Sequence, residues 1–296
     1  MDFTAQTFDK SDDKINVIQG QVLCVRHPET TYNKYNRSTP KNLIECLPEY
    51  IDCCLSLRGL EQIDELAEKL KKIKIKYVFC CPLFRCLQTC DLTLKNHPNL
   101  SNLTVIINPW IMGSVNSLDD FSKNIIKKQE IFSEKSNVRF DWSFFNSLYK
   151  NEIEKETYYL NFVDNLTEDD EAARILIEKI KTNHENDKII NISDHVKESK
   201  NSDYDKLLTD LAKYFSGTKK RPESLNCMFQ RSLKFKNYIK MFFGNLSNDD
   251  RLLVFTHSSF VKISTSEMAY SMKSISEFPE DGKNLLNCDI LTMDIN

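Results

Sequence analysis

Three short apolar runs in this chain each end next to a residue able to handle an anion. Val22-Leu23-Cys24-Val25 is followed by Arg26-His27, Tyr77–Cys81 by Pro82-Leu83-Phe84-Arg85, and Leu252–Thr256 by His257. A guanidinium presents a rigid fork of donors that matches the oxygens of a phosphoryl group. An imidazole, with an ordinary pKa of about 6.5, is mostly neutral at physiological pH and can attack phosphorus through a ring nitrogen. Two guanidiniums and two imidazoles around one tetrahedral anion would stabilise the charge spread over a phosphoryl group in transfer.

That chemistry requires the three runs to be neighbouring parallel strands, because ligands of open α/β sheets bind beyond the carboxyl ends of the strands. The order of elements agrees. A first strand is expected within Ile15–Val25, a short helix or loop over Pro28–Asn36, and an amphipathic helix over Leu57–Lys74 with Leu60, Ile63, Leu66, Ala67 and Leu70 on one face. A second strand at Tyr77–Cys81, a helix to about Leu94 and a third strand at Thr104–Ile107 follow. Strand–helix alternation argues for a parallel sheet. Later elements are helices over Leu118–Phe132, Asn151–Leu160, Glu168–Lys181 and Tyr204–Phe215, and a strand at Lys188–Ser193. A helix over Pro222–Phe243 would start on proline, a strand at Arg251–Thr256 would lead into a helix over Phe260–Met272 capped by Ser258-Ser259, and a last strand lies at Asp289–Met293. The expected architecture is a three-layer α/β/α domain with a mostly parallel sheet and an inserted, mainly helical subdomain. Residues 1–14 would form an arm, and 15–296 one domain with the insertion at about 109–187.

The chain has 296 residues, with 40 basic and 43 acidic side chains, so no net positive charge argues for nucleic acid as partner. No apolar run reaches membrane-spanning length, and the first residues lack the apolar core of a signal peptide, so a cytoplasmic protein is expected. Ten cysteines fit a reducing compartment; Cys24, Cys80 and Cys81 sit in apolar runs, and Cys81, Cys86 and Cys90 lack zinc-finger spacing, so no metal or cofactor is expected. His97, His184 and His195 lie in polar contexts and read as surface residues. Lys219-Lys220-Arg221 reads as a solvated loop, and the aromatics of 140–162 as packing for the insertion.

With these residues in view, the chain resembles the histidine phosphatase superfamily in its phosphoglycerate mutase-like branch. The likeness is carried by Val25-Arg26-His27-x-Glu29-Thr30-x-x-Asn33, Leu55-Ser56-x-x-Gly59-x-x-Gln62, Cys81-Pro82-Leu83-x-Arg85-Cys86-x-Gln88-Thr89, Glu223-Ser224 and Thr256-His257-Ser258, in the family's order. The family usually has Ser-Pro-Leu-x-Arg-Ala-x-Gln-Thr in the third of these segments. The resemblance implies that His27 is the phosphorylated nucleophile, that Arg26, Arg85 and His257 complete the phosphate pocket, and that Thr30 and Asn33 add hydrogen bonds to substrate. It implies a metal-independent phosphomonoester hydrolase acting on a small phosphorylated substrate or a phosphoprotein, with no nucleic acid or membrane partner. Two departures matter. Pro28 replaces the glycine after Arg-His, and Gly113 stands about where the family carries its acidic proton donor, with Asp119 and Asp120 nearby. A catalytically weak member that only binds phosphate esters is the alternative, and a phosphoglycerate-type mutase a further one.

Overall fold

The computed structural model describes residues 21–37, 39, 43, 47–182, 203–218, 220–243, 247, 249–271 and 277–294. Its six strands are β1 (Val22–Arg26), β2 (Ile75–Cys80), β3 (Thr104–Ile107), β4 (Arg139–Asp141), β5 (Arg251–Thr256) and β6 (Ile290–Met293), in the spatial order β4-β3-β2-β5-β1-β6. All neighbours are parallel except β6, which runs antiparallel to β1. The three apolar runs that end in cationic or imidazole side chains are therefore adjacent, β5 lying between β1 and β2, with Phe255 in register with both Val25 and Cys80. Strands covered on both faces bury both sets of side chains, which is why these runs are continuously apolar.

Among the described residues the helices are α1 (Thr31–Asn36), α2 (Leu57–Leu70), α3 (Phe84–Leu94), α4 (Ile125–Glu134), α5 (Ser143–Leu148), α6 (Glu152–Glu156), α7 (Glu171–Thr182), α8 (Asp203–Thr218), α9 (Leu225–Phe243), α10 (Ser258–Ser264) and α11 (Glu267–Ser271). Successive residues of β2 face opposite ways. Phe79 packs on Phe235 and Tyr238 of α9, whereas Cys80 meets Cys90 of α3. Helices α9 and α10 thus cover one face of the sheet, and α3, with α2 against it, covers the other. No helix among the described residues is long and apolar enough to cross a membrane.

Several elements differ from expectation for local reasons. Helix α2 stops at Leu70, because the Ile73 N–H turns back to the Leu70 carbonyl so that β2 can start at Ile75; Leu60 stays 40% exposed at the edge of the helix's inner face. The helix expected over Leu118–Phe132 is a 3-10 turn at Leu118–Asp120 and then α4, separated where Asn124 adopts φ 54°. The segment Asn151–Leu160 likewise divides into α6 and a 3-10 helix at Tyr158–Phe162. Pro222 does not open α9; Pro222, Glu223 and Ser224 precede it, with Ser224 Oγ accepting from the Cys227 N–H. The helix expected over Phe260–Met272 is two short ones, α10 and α11, and the first starts at Ser258 with His257 in the capping position. Strand β4 is not among the expected strands, since only Phe140 of its three residues is apolar; it joins the insertion to the sheet. The arm at 1–14, the strand expected at Lys188–Ser193, and His184 and His195 lie outside the described residues.

The aromatic-rich stretch packs as expected. Phe140, Trp142, Phe145, Tyr149, Tyr158, Tyr159 and Phe162 are buried in one core continuous with the strands of the sheet. His97 departs from its reading as a surface residue: it is buried, donating through Nε2 to the Leu70 carbonyl and accepting at Nδ1 from the Asn99 N–H, which ties the end of α2 to the turn after α3.

Candidate active site

A cavity of about 270 Å3 opens at the carboxyl ends of β1, β2 and β5. It is lined by Arg26, His27, Asn33 and Arg85, by Gly113, Ser114, Asn116, Asp119 and Asp120, and by Arg221, His257, Ser258, Ser259 and Phe278. The structure brings Arg26, His27, Asn33, Arg85 and His257 together, although 230 positions separate His27 from His257 (257 − 27). The two imidazoles meet edge to face, with centroids 5.2 Å apart.

The ring of His27 has one assignable tautomer. Nδ1 lies 2.8 Å from the Pro28 carbonyl oxygen, which can only accept, so Nδ1 carries the proton and Nε2 keeps its lone pair. Burial, followed by the charges of Arg85 and Arg26, holds its pKa well below the usual imidazole value. A neutral ring with Nε2 free is the form that attacks an electrophile. Pro28, which removes one backbone donor beside the pocket, contributes the carbonyl that orients this ring.

Arg85, on the first turn of α3, is 2% exposed. Its guanidinium donates to the Asp119 carbonyl, to Asp120 Oδ1 at 2.9 Å and towards His257 Nδ1 at 3.5 Å. Burial works against its charge, but the carboxylates of Asp119 and Asp120 outweigh it and keep the group protonated. Arg26 donates through Nη1 to the Leu285 carbonyl. Among the described residues, Nε of Arg26 and Nε of Arg85 are buried donors with no protein partner. Both arginines line the cavity, where an anion would meet their charge.

The two aspartates form one unit. Ser117 Oγ lies 2.6 Å from Asp119 Oδ1 and 3.0 Å from Asp120 Oδ2, and Asp120 Oδ2 also accepts from the Asn116 and Ser117 N–H groups. Burial and the neighbouring charge of Asp119 push the Asp120 carboxyl up to about 7, against the pull of Arg85 and these donors.

His257 is engaged at both ring nitrogens. Nδ1 faces Arg85, while Nε2 lies 3.2 Å from Cys81 Sγ and 3.3 Å from Cys86 Sγ. Burial, then Arg85, His27 and Arg26, lower its pKa well below the usual value, so this ring too is neutral.

The remaining motif residues hold these groups in place. Glu29 is buried and accepts from Ser56 Oγ at 2.9 Å and from Arg37 Nη1 at 3.0 Å; its N–H donates to Gln62 Oε1 at 3.0 Å. A Cβ at Gly59 would come 2.0 Å from the Glu29 carbonyl oxygen, so only glycine lets α2 approach the first motif. Gln88 Oε1 accepts from the Leu55 N–H, tying α3 to the second motif. Thr30 does not line the cavity: fully buried, its hydroxyl caps α1 by accepting from the Asn33 N–H. Asp52, at φ 49°, accepts from the Phe84 N–H and pairs with buried Lys128, fixing the start of α3 beside Arg85.

After β3, a carbonyl loop replaces the expected acid. A Cβ on Gly113 would meet the Cβ and Cγ of His257 at 3.1 Å, so a glutamate there would press on the ring. Arg231 secures the loop, donating to the Trp110, Met112 and Gly113 carbonyls and pairing with fully buried Glu223. Glu223 is therefore a scaffold residue outside the cavity. Arg221, expected in a solvated loop, instead lines the cavity with its guanidinium 4.7 Å from the Phe278 ring. The Lys219-Lys220-Arg221 run could have pointed to an anionic substrate, but a solvated loop is the commoner reading of such a run.

Residues 22–111 match the family model of the histidine phosphatase superfamily (branch 1). Comparison with curated protein sequences returns no match. Among solved structures, the chain is similar to a phosphoglycerate mutase from Bacillus anthracis str. Sterne, at 15% identity and a TM-score of 0.42, over 90% of this chain and 86% of that one. It is also similar to the ecdysone phosphate phosphatase from Bombix mori, at 12% identity and a TM-score of 0.38, over 92% and 88% of the two chains. The family match and the geometry of the cavity, rather than these distant likenesses, bear on function.

Proposed function

We propose that this chain, whose residues 22–111 match the histidine phosphatase superfamily model, is a phosphomonoester hydrolase working through a phosphohistidine on His27. The observation that carries this reading is the Pro28 carbonyl, which fixes the His27 proton on Nδ1 and leaves Nε2 as a nucleophile in a cavity that Arg26 and Arg85 also line. Nε2 attacks phosphorus, and the bond from phosphorus to the ester oxygen breaks. Arg26 and Arg85 stabilise the charge on the oxygens in transfer. Water then attacks the phosphohistidine, releasing phosphate and restoring the ring.

The leaving oxygen needs a proton, and the Asp119–Asp120 pair supports that role in place of the missing glutamate. Both line the cavity, and the Asp120 carboxyl keeps its proton up to about 7. Below that pH the acid is present; as pH rises through it, the acid is lost. The conjugate base then takes the proton of the attacking water.

Rapid quench with a labelled phosphoester tests the proposal. An acid-labile phosphoenzyme that disappears in His27→Ala is expected. No adduct across a broad ester panel that includes phosphoglycerates would overturn it. A second reading, a member that binds phosphate esters without turning them over, is favoured by the prior pairing of Arg85 with Asp119 and Asp120. It requires ester binding weakened by Arg85→Ala with no turnover.

A further inference from the structure

Two thiols at the back of His257 take no part in the phosphoryl chemistry. Cys81, just past the end of β2, and Cys86, on the first turn of α3, stand where the family usually has serine and alanine. Both are fully buried, and Cys81 Sγ, Cys86 Sγ and a ring nitrogen of His257 lie within 4.8 Å of one another. Nε2 is the nitrogen that faces both sulfurs, at 3.2 and 3.3 Å. Tetrahedral zinc with Zn–S of about 2.3 Å and Zn–N of about 2.0 Å needs nitrogen-to-sulfur separations of about 3.5 Å. Both nitrogen-to-sulfur distances are already within a few tenths of an ångström of that spacing.

The chain order hid this set. Cys81 and Cys86 are five apart, and the third donor comes from the end of β5, 171 positions after Cys86. The sheet brings them together because β2 and β5 are parallel neighbours.

We propose that Cys81, Cys86 and His257 form a binding site for a thiophilic divalent cation, zinc above all, and that occupancy switches the phosphatase off. Soft thiolates exclude magnesium and calcium. Two thiolates also cancel the charge of the ion, which lets it sit beside Arg85 and Arg26, where a bare cation would be repelled. On binding, both thiol protons leave to solvent, the imidazole proton moves to Nδ1, and Nε2 gives its lone pair to the metal. The fourth tetrahedral position is left for water or an anion. No redox change occurs. With Nδ1 protonated, the ring at 257 can no longer accept from Arg85, and its Nε2 is no longer available to the phosphate cavity. The site itself does not depend on the phosphatase reading; only its inhibitory effect does.

Anaerobic titration of the full chain with Co2+ and then Zn2+ tests the site without turnover. One equivalent of Co2+ giving the intense visible absorption of tetrahedral thiolate coordination, displaced by Zn2+, is expected. Cys86→Ala and Cys81→Ser should each weaken binding by about 100-fold or more, while Cys54→Ser and Cys227→Ser should not. Cys86→Ser, closest in volume, covers the case in which the alanine variant fails to fold. Where turnover is measurable, Zn2+ should inhibit the parent chain reversibly with chelator and inhibit Cys86→Ala far less. A pale octahedral Co2+ spectrum, no binding, or binding equally reduced by Cys54→Ser would overturn the site. Tetrahedral binding with unchanged turnover would overturn the switch.

Discussion

Two buried arginines in this molecule are paired with carboxylates, and they do opposite things. Arg231 uses every donor of its guanidinium: Nε and Nη2 on Glu223, Nη1 on the Trp110 and Met112 carbonyls, Nη2 also on the Gly113 carbonyl. Arg85 meets Asp119, Asp120 and His257 but leaves Nε without a protein partner, and it lines the cavity that Arg231 does not. A buried ion pair by itself therefore says little about role. Position does: a guanidinium whose donors are all taken by Glu223 and three carbonyls holds backbone in place, and one that borders the cavity beside His27 is placed to meet a ligand.

The contrast between the two arginines can be broken at either end. The largest effect is expected for the double variant Asp119→Asn, Asp120→Asn, which should lower kcat on alkyl phosphates by about 10²–10⁴-fold. Activated aryl esters, which need no proton, should lose far less. The pH–rate profile of the parent chain should fall above about 7, the value to which Asp120 is raised, and that limb should vanish in the variant. Equal losses on both ester types would reject the acid role.

Arg231→Met should act on stability instead. Leaving Glu223 buried without its partner costs about 3–5 kcal/mol, readable in urea unfolding. Whatever folded protein remains should retain its chemistry with Nε2 of His27. If stability held and kcat collapsed, the distinction drawn between the two arginines would be wrong.

Arg85→Lys keeps the charge but not the fork. A loss of about 10²–10³-fold in kcat/KM, equivalent to about 2.7–4 kcal/mol, is expected, with a much smaller change in unfolding midpoint than for Arg231→Met. The smallest effect belongs to Gly113→Ala. Its methyl would press on the His257 ring from 3.1 Å, costing about 1 kcal/mol in stability and a few-fold in rate. Unaltered kinetics in that variant would mean the ring has room to move.

Much of the site is legible in the chain alone. The apolar runs and the cations beyond them are local features, and each survives folding because a buried central strand demands continuous apolar residues. His27, Arg26, Arg85, Asn33 and His257 stand out through such features and share the cavity. Thr30 stands out with them but faces inward, because a threonine before a helix is as good a cap as a ligand. The helix breaks near Asn124 and Thr265, and the three-residue β4, escape a reading of the chain because tertiary contacts override weak local preference.

By itself, the order of residues determined the alternation of strands and helices, the polarity of each face, and which side chains stand at strand ends. It did so because those are matters of neighbours and periodicity. Only the tertiary structure decided that His27 carries its proton on Nδ1, that Asp119 and Asp120 share one guanidinium, that Glu223 locks a loop instead of meeting substrate, and that two thiols converge on His257. Each of these depends on distances between groups far apart in the chain, and such distances exist only once the sheet has set β1, β5 and β2 side by side.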